Sequence, residues 1–384
     1  MTVPITPPNA PGAPAPPSRD ERWAATMSGH PGDAAHRAHQ RAIPVGRAAP
    51  RLRAEREADE HRSLAPGATR SEGAGDRRRP EPPDPVRTCF ERDRDRILHA
   101  AAFRRLAGKT QVFIFPADHQ RTRLTHALEV AQVATALADA LGLNRALTEA
   151  IALGHDCGHG PGGHASEDAF TPYLPGGYDH AQWGADVVLA PLNLCRQTLD
   201  GIRNHSWSRP PPATPEGEVV AWADRIAYVC HDFEDAVSAG IVAADSLPAP
   251  IGERCGTRRS GQIDRFVSGV IDASVRTGTV AMTAADAEAL AAFRAFDYER
   301  IYLRPASVAQ ADRVITLLRA LVEHFVTHPG LLPQGPDDDQ GTPAVVRAAV
   351  THVAGMTDRF ACQQAVTHLR WAVDQLPRGL DVAN

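Results

Sequence analysis

The sequence lacks the usual marks of a membrane, secreted or nucleic-acid-binding protein. No apolar run approaches the roughly 18 residues that suggest a membrane span, and the first residues lack the apolar core of a signal peptide. The six cysteines show no Cys-x-x-Cys spacing and no disulfide framework, which fits a reduced, cytoplasmic protein. A net charge of −5 argues against wholesale nucleic-acid binding, although a local basic surface stays open.

Lysine is nearly absent. Lysine and arginine total 41, and Lys109 is the single lysine in the sequence. Such a skew is typical of a codon bias toward arginine. A lysine that survives it could lie where a compact ammonium cannot be exchanged for a guanidinium. Composition alone leaves chance survival as an equal alternative.

The N-terminal quarter of the chain has the composition of a disordered tail. Residues 1–85 are rich in proline, alanine, arginine and glycine and have no sustained apolar periodicity. We therefore predict a disordered tail over residues 1–85, with a short helix as an option at residues 34–42 or 51–62. A solvated tail is favoured over one that touches nucleic acid, because acidic residues are interspersed.

From about residue 86 the sequence predicts helices with few strand signals. Residues 122–141 carry apolar residues at three- and four-residue spacing and end at Gly142, a typical C-cap. Asn144 is a typical N-cap for the next helix, which ends near residue 155. Further helices are predicted at residues 91–106, 218–240, 284–293, 309–324 and 343–354. We predict an all-α fold with a core over residues 86–245 and a C-terminal helical region over residues 246–384 packed on it.

The segment 155–167 concentrates metal-binding side chains. It holds three histidines and two carboxylates among four glycines and a proline. A divalent ion in a hydrolase needs imidazole and carboxylate ligands with open positions for water and substrate. His155 and Asp156 supply two ligands at a helix end. Two more must come from elsewhere, and His126 and Asp224 are the candidates on neighbouring helices.

The predicted helix 218–240 carries a line of polar side chains. Asp224, Tyr228, Asp232 and Asp235 follow one another at spacings of four, four and three residues. Such a line is usually a solvent-exposed face. Because the helix is otherwise largely apolar, a buried functional face competes with that interpretation on equal terms.

These motifs resemble a known family. His126, the pair His155 and Asp156, and Asp224 match the pattern of the HD superfamily of metal-dependent phosphohydrolases. Longer segments are similar to bacterial deoxyguanosinetriphosphate triphosphohydrolase-like proteins, namely residues 87–99, 102–106, 109–113, 123–130, 154–167, 216–228 and 354–361. The resemblance covers about residues 86–375. It implies an HD-domain helical fold with a C-terminal helical extension, and hydrolysis of dGTP or other dNTPs to a deoxynucleoside and inorganic triphosphate.

The resemblance also implies residue roles. The metal ligands are His126, His155, Asp156 and Asp224. The catalytic residues are His159, His164 and Glu167. The substrate contacts are Arg123, Arg225, His180, Tyr228 and Asp232, with Lys109 as a weaker candidate.

Physical chemistry supports several of these roles. A metal in this ligand set would lower the pKa of a bound water and polarise a phosphoryl oxygen. His164 is the candidate general acid for the leaving 5′-oxygen, and Glu167, three residues on, could orient it. Arg123 and Arg225 are placed to neutralise a triphosphate. The ring of Tyr228 against deoxyribose would exclude a 2′-hydroxyl.

The sequence departs from the family pattern at two positions near the His-Asp pair. Gly162 stands where the family commonly has phenylalanine, and we expect this loss of packing to loosen the loop. Cys157 stands where an aliphatic residue is common. A metal-ligand role for Cys157 is the minor alternative, because its neighbours already supply ligands.

Two alternatives remain from the sequence, namely an HD phosphohydrolase acting on other nucleotides and a non-catalytic nucleotide sensor. Mixed histidine and aspartate ligation suits Mn²⁺, Fe²⁺, Co²⁺, Ni²⁺ or Zn²⁺, with Mg²⁺ less natural. The resemblance further implies a homo-oligomer.

Overall fold

A computed structural model describes residues 16–379, apart from residues 33, 42, 48, 117–118 and 334–339. The chain divides into two units, Met1–Pro50 and Arg51–Asn384. Within the described residues the regular elements are helices, accompanied by isolated β-bridges, which confirms the predicted all-α fold. No helix in the described part of the chain is long and apolar enough to cross a membrane.

The smaller unit contains one short helix. Helix α1 (Arg19–Thr26) begins at a capping box formed by Ser18 and Glu21, and its residues are exposed. An antiparallel bridge joins His30 and Arg37. The described residues of the segment 34–42 form no helix, so that option was wrong. Residues 1–15 of the predicted tail lie outside the described residues.

The larger unit begins with residues that the sequence analysis places in the tail. Residues 51–85 include helix α2 (Arg53–Ser63), which overlaps the segment 51–62 where a helix was an option. The backbone N–H and Oγ1 of Thr69 donate to Glu216 at 2.9 and 2.7 Å, and Arg77 donates to Asp93 at 2.5 Å. This part of the predicted tail is therefore anchored to the core. These contacts are polar, and the apolar contacts of the segment come from single residues such as Ala68, so no apolar periodicity could reveal them.

The remaining helices fall into two groups along the chain. The first comprises α3 (Cys89–His99), α4 (Ala101–Arg105), α5 (Arg123–Leu141), α6 (Arg145–Gly154), α7 (Ala165–Phe170), α8 (His180–Trp183), α9 (Arg196–Asn204) and α10 (Pro215–Ser238). The second comprises α11 (Ala249–Cys255), α12 (Arg259–Thr277), α13 (Ala284–Asp297), α14 (Pro305–Thr327), α15 (Pro343–Ala354) and α16 (Asp358–Leu369).

The ends of α5 and α6 follow from their capping residues. Thr122 and Thr125 form a capping box at the start of α5, and Gly142 ends it with a left-handed φ of 66°. The side chain of Asn144 accepts from the N–H of Leu147 at the start of α6. The Gly142 and Asn144 predictions are confirmed. The predicted helix 91–106 is instead split into α3 and α4, because Ala100 is extended.

Two apolar clusters hold the helices together. The larger contains buried side chains of α5, α6 and α10, such as Leu137, Ile151 and Val219. The smaller joins α7 to α14, α15 and α16. Full burial of each such aliphatic side chain contributes about 1.5–3 kcal/mol. The packing of α5, α6 and α10 brings the start of α5, the end of α6 and the middle of α10 to one place.

Candidate metal centre and active-site cavity

The four predicted metal ligands converge where α5, α6 and α10 meet. His126 Nε2 lies 3.1 Å from Asp224 Oδ1 and 3.8 Å from Asp156 Oδ2. His155 Nε2 lies 3.5 Å from Asp156 Oδ2 and 3.7 Å from Asp224 Oδ1. His126, His155 and Asp156 are buried. The structure therefore brings together ligand atoms from helices α5 and α10 and from the turn after α6.

The hydrogen bonding of His155 fits a metal ligand. Its Nδ1 donates to the carbonyl oxygen of Ala152 at 2.6 Å, which leaves the lone pair on Nε2. This Nε2 is buried and has no hydrogen-bond partner among the described residues. Buried polar atoms normally have partners, and metal-bound imidazoles usually donate their other N–H in this way. The donor set thus suits a divalent cation.

Both carboxylates of the set are ionised. Burial opposes ionisation, but the positive charge of Arg123 and the hydrogen bond from His159 outweigh it and hold the pKa of Asp156 well below its usual range. Burial also opposes ionisation of Asp224, and the hydrogen bond from His126 outweighs it and lowers the pKa. The site therefore presents two negative oxygens to a cation.

Arg123 lies beside the ligand set with donors to spare. It is buried, and its Nη1 donates to Asp156 Oδ2 at 2.8 Å. Its Nε and Nη2 are buried without a hydrogen-bond partner among the residues that the structure describes. Unused guanidinium donors at a cavity wall are suited to an anionic ligand.

A second cluster of imidazoles surrounds Glu167. His180 Nδ1 is hydrogen-bonded to Glu167 Oε1, and His164 Nδ1 lies 4.0 Å from Glu167 Oε2. The ring of His180 stacks on His159 with a centroid separation of 3.7 Å. His159 Nε2 in turn lies 3.2 Å from Asp156 Oδ1. The predicted partner of Glu167 was His164, whereas its hydrogen bond is to His180.

The protonation of these histidines differs. Burial lowers the pKa of His180, but the hydrogen bond and charge of Glu167 outweigh it and raise the pKa. Burial and the positive charge of Arg123 hold the pKa of His159 well below its usual range. Desolvation and the positive charge of Arg123 also lower the pKa of His164, whose side chain is nevertheless 74% exposed to solvent. His180 is thus the imidazole of the cluster that is protonated most readily.

A cavity of ≈ 530 Å³ opens onto both clusters. This volume is within the range of small-molecule sites. The predicted site residues that line it are Arg123, His126, Asp156, His159, His164, Glu167, His180, Asp224, Arg225, Tyr228 and Asp232.

The wall of the cavity farther along α10 adds residues that sequence reasoning missed. Arg294 Nε donates to Tyr228 Oη at 2.6 Å, and Tyr302 Oη donates to Asp232 Oδ2 at 2.5 Å. Asp232 Oδ1 is buried without a described hydrogen-bond partner, and burial raises the pKa of Asp232 to about 7. Arg294 and Tyr302 come from the end of α13 and the π-helical turn Tyr298–Tyr302. No local motif marks them.

Lys109 has a different role from the one predicted. Its ammonium is buried and donates to the backbone carbonyl oxygens of His159 and Ala354, the latter at 3.0 Å. It is not among the described residues that line the cavity. Burial lowers its pKa to about 8. Lys109 therefore ties the glycine-rich loop to the end of α15, and no substrate contact is assigned to it.

Hydrogen bonds tie the glycine-rich loop to neighbouring segments. Gly162 donates its N–H to Asp358 Oδ1 at 2.9 Å, and Asp358 Oδ2 accepts from Thr110 at 2.6 Å. Gly162 has a φ of 74°, and an added Cβ would lie 2.4 Å from Val314 Cγ1. The side chain of Val314 on α14 thus occupies the space beside Gly162, and the expected loosening of the loop stays a prediction.

Cys157 does not join the metal ligands. Its thiol lies 3.9 Å from the carbonyl oxygen of Leu153. Burial raises its pKa to about 12, so the group stays protonated. A protonated thiol is a poor ligand.

His205 is a further imidazole at the metal centre that the sequence analysis did not select. It is buried at the end of α9, and its Nδ1 donates to Ile202 O at 2.8 Å. Its Nε2 lies 3.3 Å from His180 Nε2, and its ring packs edge-on to His155 at 5.0 Å. The four-ligand pattern was complete without it, so nothing in the spacing pointed to it.

The arrangement matches known family models. The HD domain model matches residues 123–229, which contain the four ligands, and the phosphohydrolase-associated domain model matches residues 280–366. The chain has an all-α fold and a His/Asp cluster, and it matches both family models. It is therefore placed among HD-domain phosphohydrolases.

Curated relatives specify the family. The chain is 40% identical to a deoxyguanosinetriphosphate triphosphohydrolase-like protein of Caldanaerobacter subterraneus, over 79% of this chain and 91% of the relative. A protein of the same name from Clostridium perfringens is 38% identical, over 75% of this chain and 89% of the relative. The protein numbered 1 under this name in Deinococcus radiodurans is 36% identical, over 81% of this chain and 97% of the relative. The chain therefore belongs to the deoxyguanosinetriphosphate triphosphohydrolase-like family of HD-domain phosphohydrolases.

Proposed function

We propose that this protein is a metal-dependent dNTP triphosphohydrolase, which cleaves dGTP or other dNTPs to a deoxynucleoside and inorganic triphosphate. The observation that carries the proposal is one cavity that joins a divalent-metal donor set to unpaired cationic donors and to a polar wall. The metal donor set suits the phosphorus that reacts, the cationic donors suit the triphosphate, and the polar wall suits the sugar. The names of the curated relatives support the same substrate class.

The proposed metal is held by His126, His155, Asp156 and Asp224. When bound there, a divalent ion supplies Lewis acidity toward a phosphoryl oxygen and toward water. The donor chemistry suits Mn²⁺, Fe²⁺, Co²⁺, Ni²⁺ or Zn²⁺ more than Mg²⁺.

Cationic side chains neutralise the triphosphate in this proposal. Arg123 directs Nε and Nη2 toward a ligand, since neither has a protein partner among the described residues. Arg225 and the protonated ring of His180 line the same cavity. Fixed cations in a partly desolvated site stabilise the negative charge that accumulates as the phosphorus is attacked.

His159, His164 and Glu167 are the proposed catalytic residues. Neutral His159 is held by Asp156 and orients the attacking water. His164 delivers a proton to the departing 5′-oxygen. A bound triphosphate opposes the charge of Arg123 and so raises the pKa of His164 toward the value that a general acid needs. Glu167 faces both His164 and His180 and favours the protonated form of each.

The sugar contacts are proposed at Tyr228 and Asp232. Asp232 Oδ1 has no described protein donor, so it can accept from a 3′-hydroxyl. Tyr228 is fixed by Arg294, and a rigid ring against the sugar leaves no room for a 2′-hydroxyl.

The test is a panel of the four dNTPs and the matching NTPs, with and without Mn²⁺, analysed for all phosphate products. Equimolar deoxynucleoside and triphosphate are expected from at least one dNTP. Pyrophosphate or orthophosphate as the first product would indicate a different HD phosphohydrolase. Binding without turnover at saturating metal would indicate a nucleotide sensor.

A further inference from the structure

The guanidinium of Arg225 packs against the half-exposed ring of Trp207 in the wall of the cavity. The Cζ of Arg225 lies 3.8 Å from the centroid of the Trp207 ring and 5.8 Å from that of Tyr228. Trp207 is 49% exposed, and both Trp207 and Arg225 line the cavity. The side chain of Arg225 has no hydrogen bond or ion pair to the residues that the structure describes, and the Trp207 indole is the nearer of its two aromatic contacts.

The indole itself is held in place from behind. Its Nε1–H donates to the carbonyl oxygen of Ala221 at 3.1 Å. Its ring meets Trp222 edge-on, with centroids 4.7 Å apart and planes at 78°. Ala221, Trp222 and Arg225 lie on one side of α10, because residues three and four apart share a helix face. Trp207 therefore packs across the stretch of α10 that presents Arg225.

The turn that carries Trp207 is also fixed. It follows His205, which is buried and bonded to Ile202. The N–H of Arg209 donates to the carbonyl oxygen of Ser206 at 2.9 Å. A rigid turn, a buried hydrogen bond and a ring contact make Trp207 a fixed platform rather than a mobile surface side chain.

We propose that Trp207 is a positioning residue that stacks the guanidinium of Arg225 so that its N–H groups point at the phosphates of the substrate. This inference rests on the proposed function for the identity of the anion. A free arginine side chain has many rotamers and must be ordered on binding. Stacking on an aromatic face orders it beforehand and leaves the in-plane N–H groups open to bidentate contact with phosphate.

The effect acts on binding more than on the chemical step. Removing the ring loosens a phosphate contact that is made in both the bound substrate and the transition state. The affinity for inorganic tripolyphosphate and the KM for the dNTP should therefore change together, by about threefold to tenfold. The kcat should stay within about twofold.

The experiment compares W207A, W207F, R225A and the double variant W207A/R225A. Tripolyphosphate binding is measured by calorimetry with Mn²⁺ present, and KM and kcat are measured with the preferred dNTP. We expect W207A to weaken both affinities, W207F to restore most of the loss, and W207A to add nothing in the R225A background. Trp23→Ala, which removes an exposed tryptophan from the Met1–Pro50 unit, should leave both affinities unchanged.

Three results would overturn the inference. An unchanged affinity in W207A would mean that Arg225 needs no platform. An equal loss in the R225A background would mean that Trp207 contacts the ligand itself, as a base-stacking residue does. A fall in kcat with unchanged KM would place its effect on the chemical step. A failure of the proposed function would look different. The unaltered protein would release no triphosphate from any dNTP, while W207A would still bind tripolyphosphate more weakly than the unaltered protein does.

Discussion

His155 donates its Nδ1–H to the carbonyl oxygen of Ala152, one turn back along α6, at 2.6 Å. This hydrogen bond fixes the ring and its tautomer. Nε2 then faces the carboxylates of Asp156 and Asp224 across the proposed metal site. The end of a helix, where backbone carbonyls lack helical partners, thus prepares a metal ligand.

His155→Ala should therefore release the metal. Affinity is expected to fall by at least about 10–100-fold, the range found for groups that merely orient a ligand. Metal content after dialysis measures the effect. His61→Ala is the control, because it removes a half-exposed histidine that pairs with Glu72 and should keep the metal. Full metal occupancy in His155→Ala would contradict the ligand assignment.

Glu167→Gln should shift the pH dependence of activity. The carboxylate favours the protonated forms of His180 and His164, so its loss lowers both pKa values. Activity that requires a protonated imidazole is lost as pH rises through that pKa. The alkaline limb of kcat/KM is therefore expected to move to lower pH by roughly one unit.

The matched control for this shift is Asp168→Asn, the neighbouring and exposed acid on α7. Its pH profile should coincide with that of the unaltered protein. An alkaline limb that moves to higher pH in Glu167→Gln would refute the proposed charge effect.

Lys109→Met should destabilise the fold. The substitution leaves the carbonyl oxygens of His159 and Ala354 without a buried donor, at a cost of about 2–4 kcal/mol in the free energy of unfolding. Urea unfolding measures it. Arg104→Met, on the exposed side of α4, should cost far less.

The pH dependence of stability, compared between the unaltered protein and Lys109→Met, tests the burial of the ammonium. Burial lowers the folded-state pKa of Lys109 from its usual value of 10.5 to about 8. Between these pH values the unfolded chain binds more protons at this site than the folded chain does, so stability rises with pH. The unaltered protein should gain stability relative to Lys109→Met over this window. A loss over the window would contradict the burial.

Asp232→Ala should weaken recognition of the 3′-hydroxyl. The hydrogen bond that this carboxyl accepts is lost, so the KM for a dNTP is expected to rise about 3–10-fold. The KM for the corresponding 2′,3′-dideoxynucleotide should change little. Tyr302→Phe, which removes the other hydrogen bond of this carboxylate, is the control and should affect both nucleotides alike. An equal rise for both nucleotides in Asp232→Ala would refute the 3′-hydroxyl contact.

The parts of the fold that sequence could predict are those with local causes. The caps at Gly142 and Asn144 act within one helical turn, and the apolar spacing of α5 spans a single helix. The segment 51–85, most of it exposed or half-buried, could not be predicted in this way, because contacts that hold it, such as the hydrogen bond of Thr69 to Glu216, join residues 147 apart.

The same distinction between local and long-range causes holds for the residues of the candidate site. The His155 and Asp156 pair has a distinct spacing, and the resemblance supplied its partners. His205, Arg294 and Trp207 carry no motif and reach the cavity only through tertiary packing. Lys109 was noticed because it is unique in composition, but composition could not reveal that its ammonium faces backbone oxygens.

The measurement that tests the central proposal most directly is hydrolysis of a dNTP in H₂¹⁸O, with mass analysis of each product. Attack of water on the α-phosphorus should place one ¹⁸O in inorganic triphosphate and none in the deoxynucleoside, with the two products in equal amounts. Label in pyrophosphate, in orthophosphate or in the deoxynucleoside would contradict the proposal.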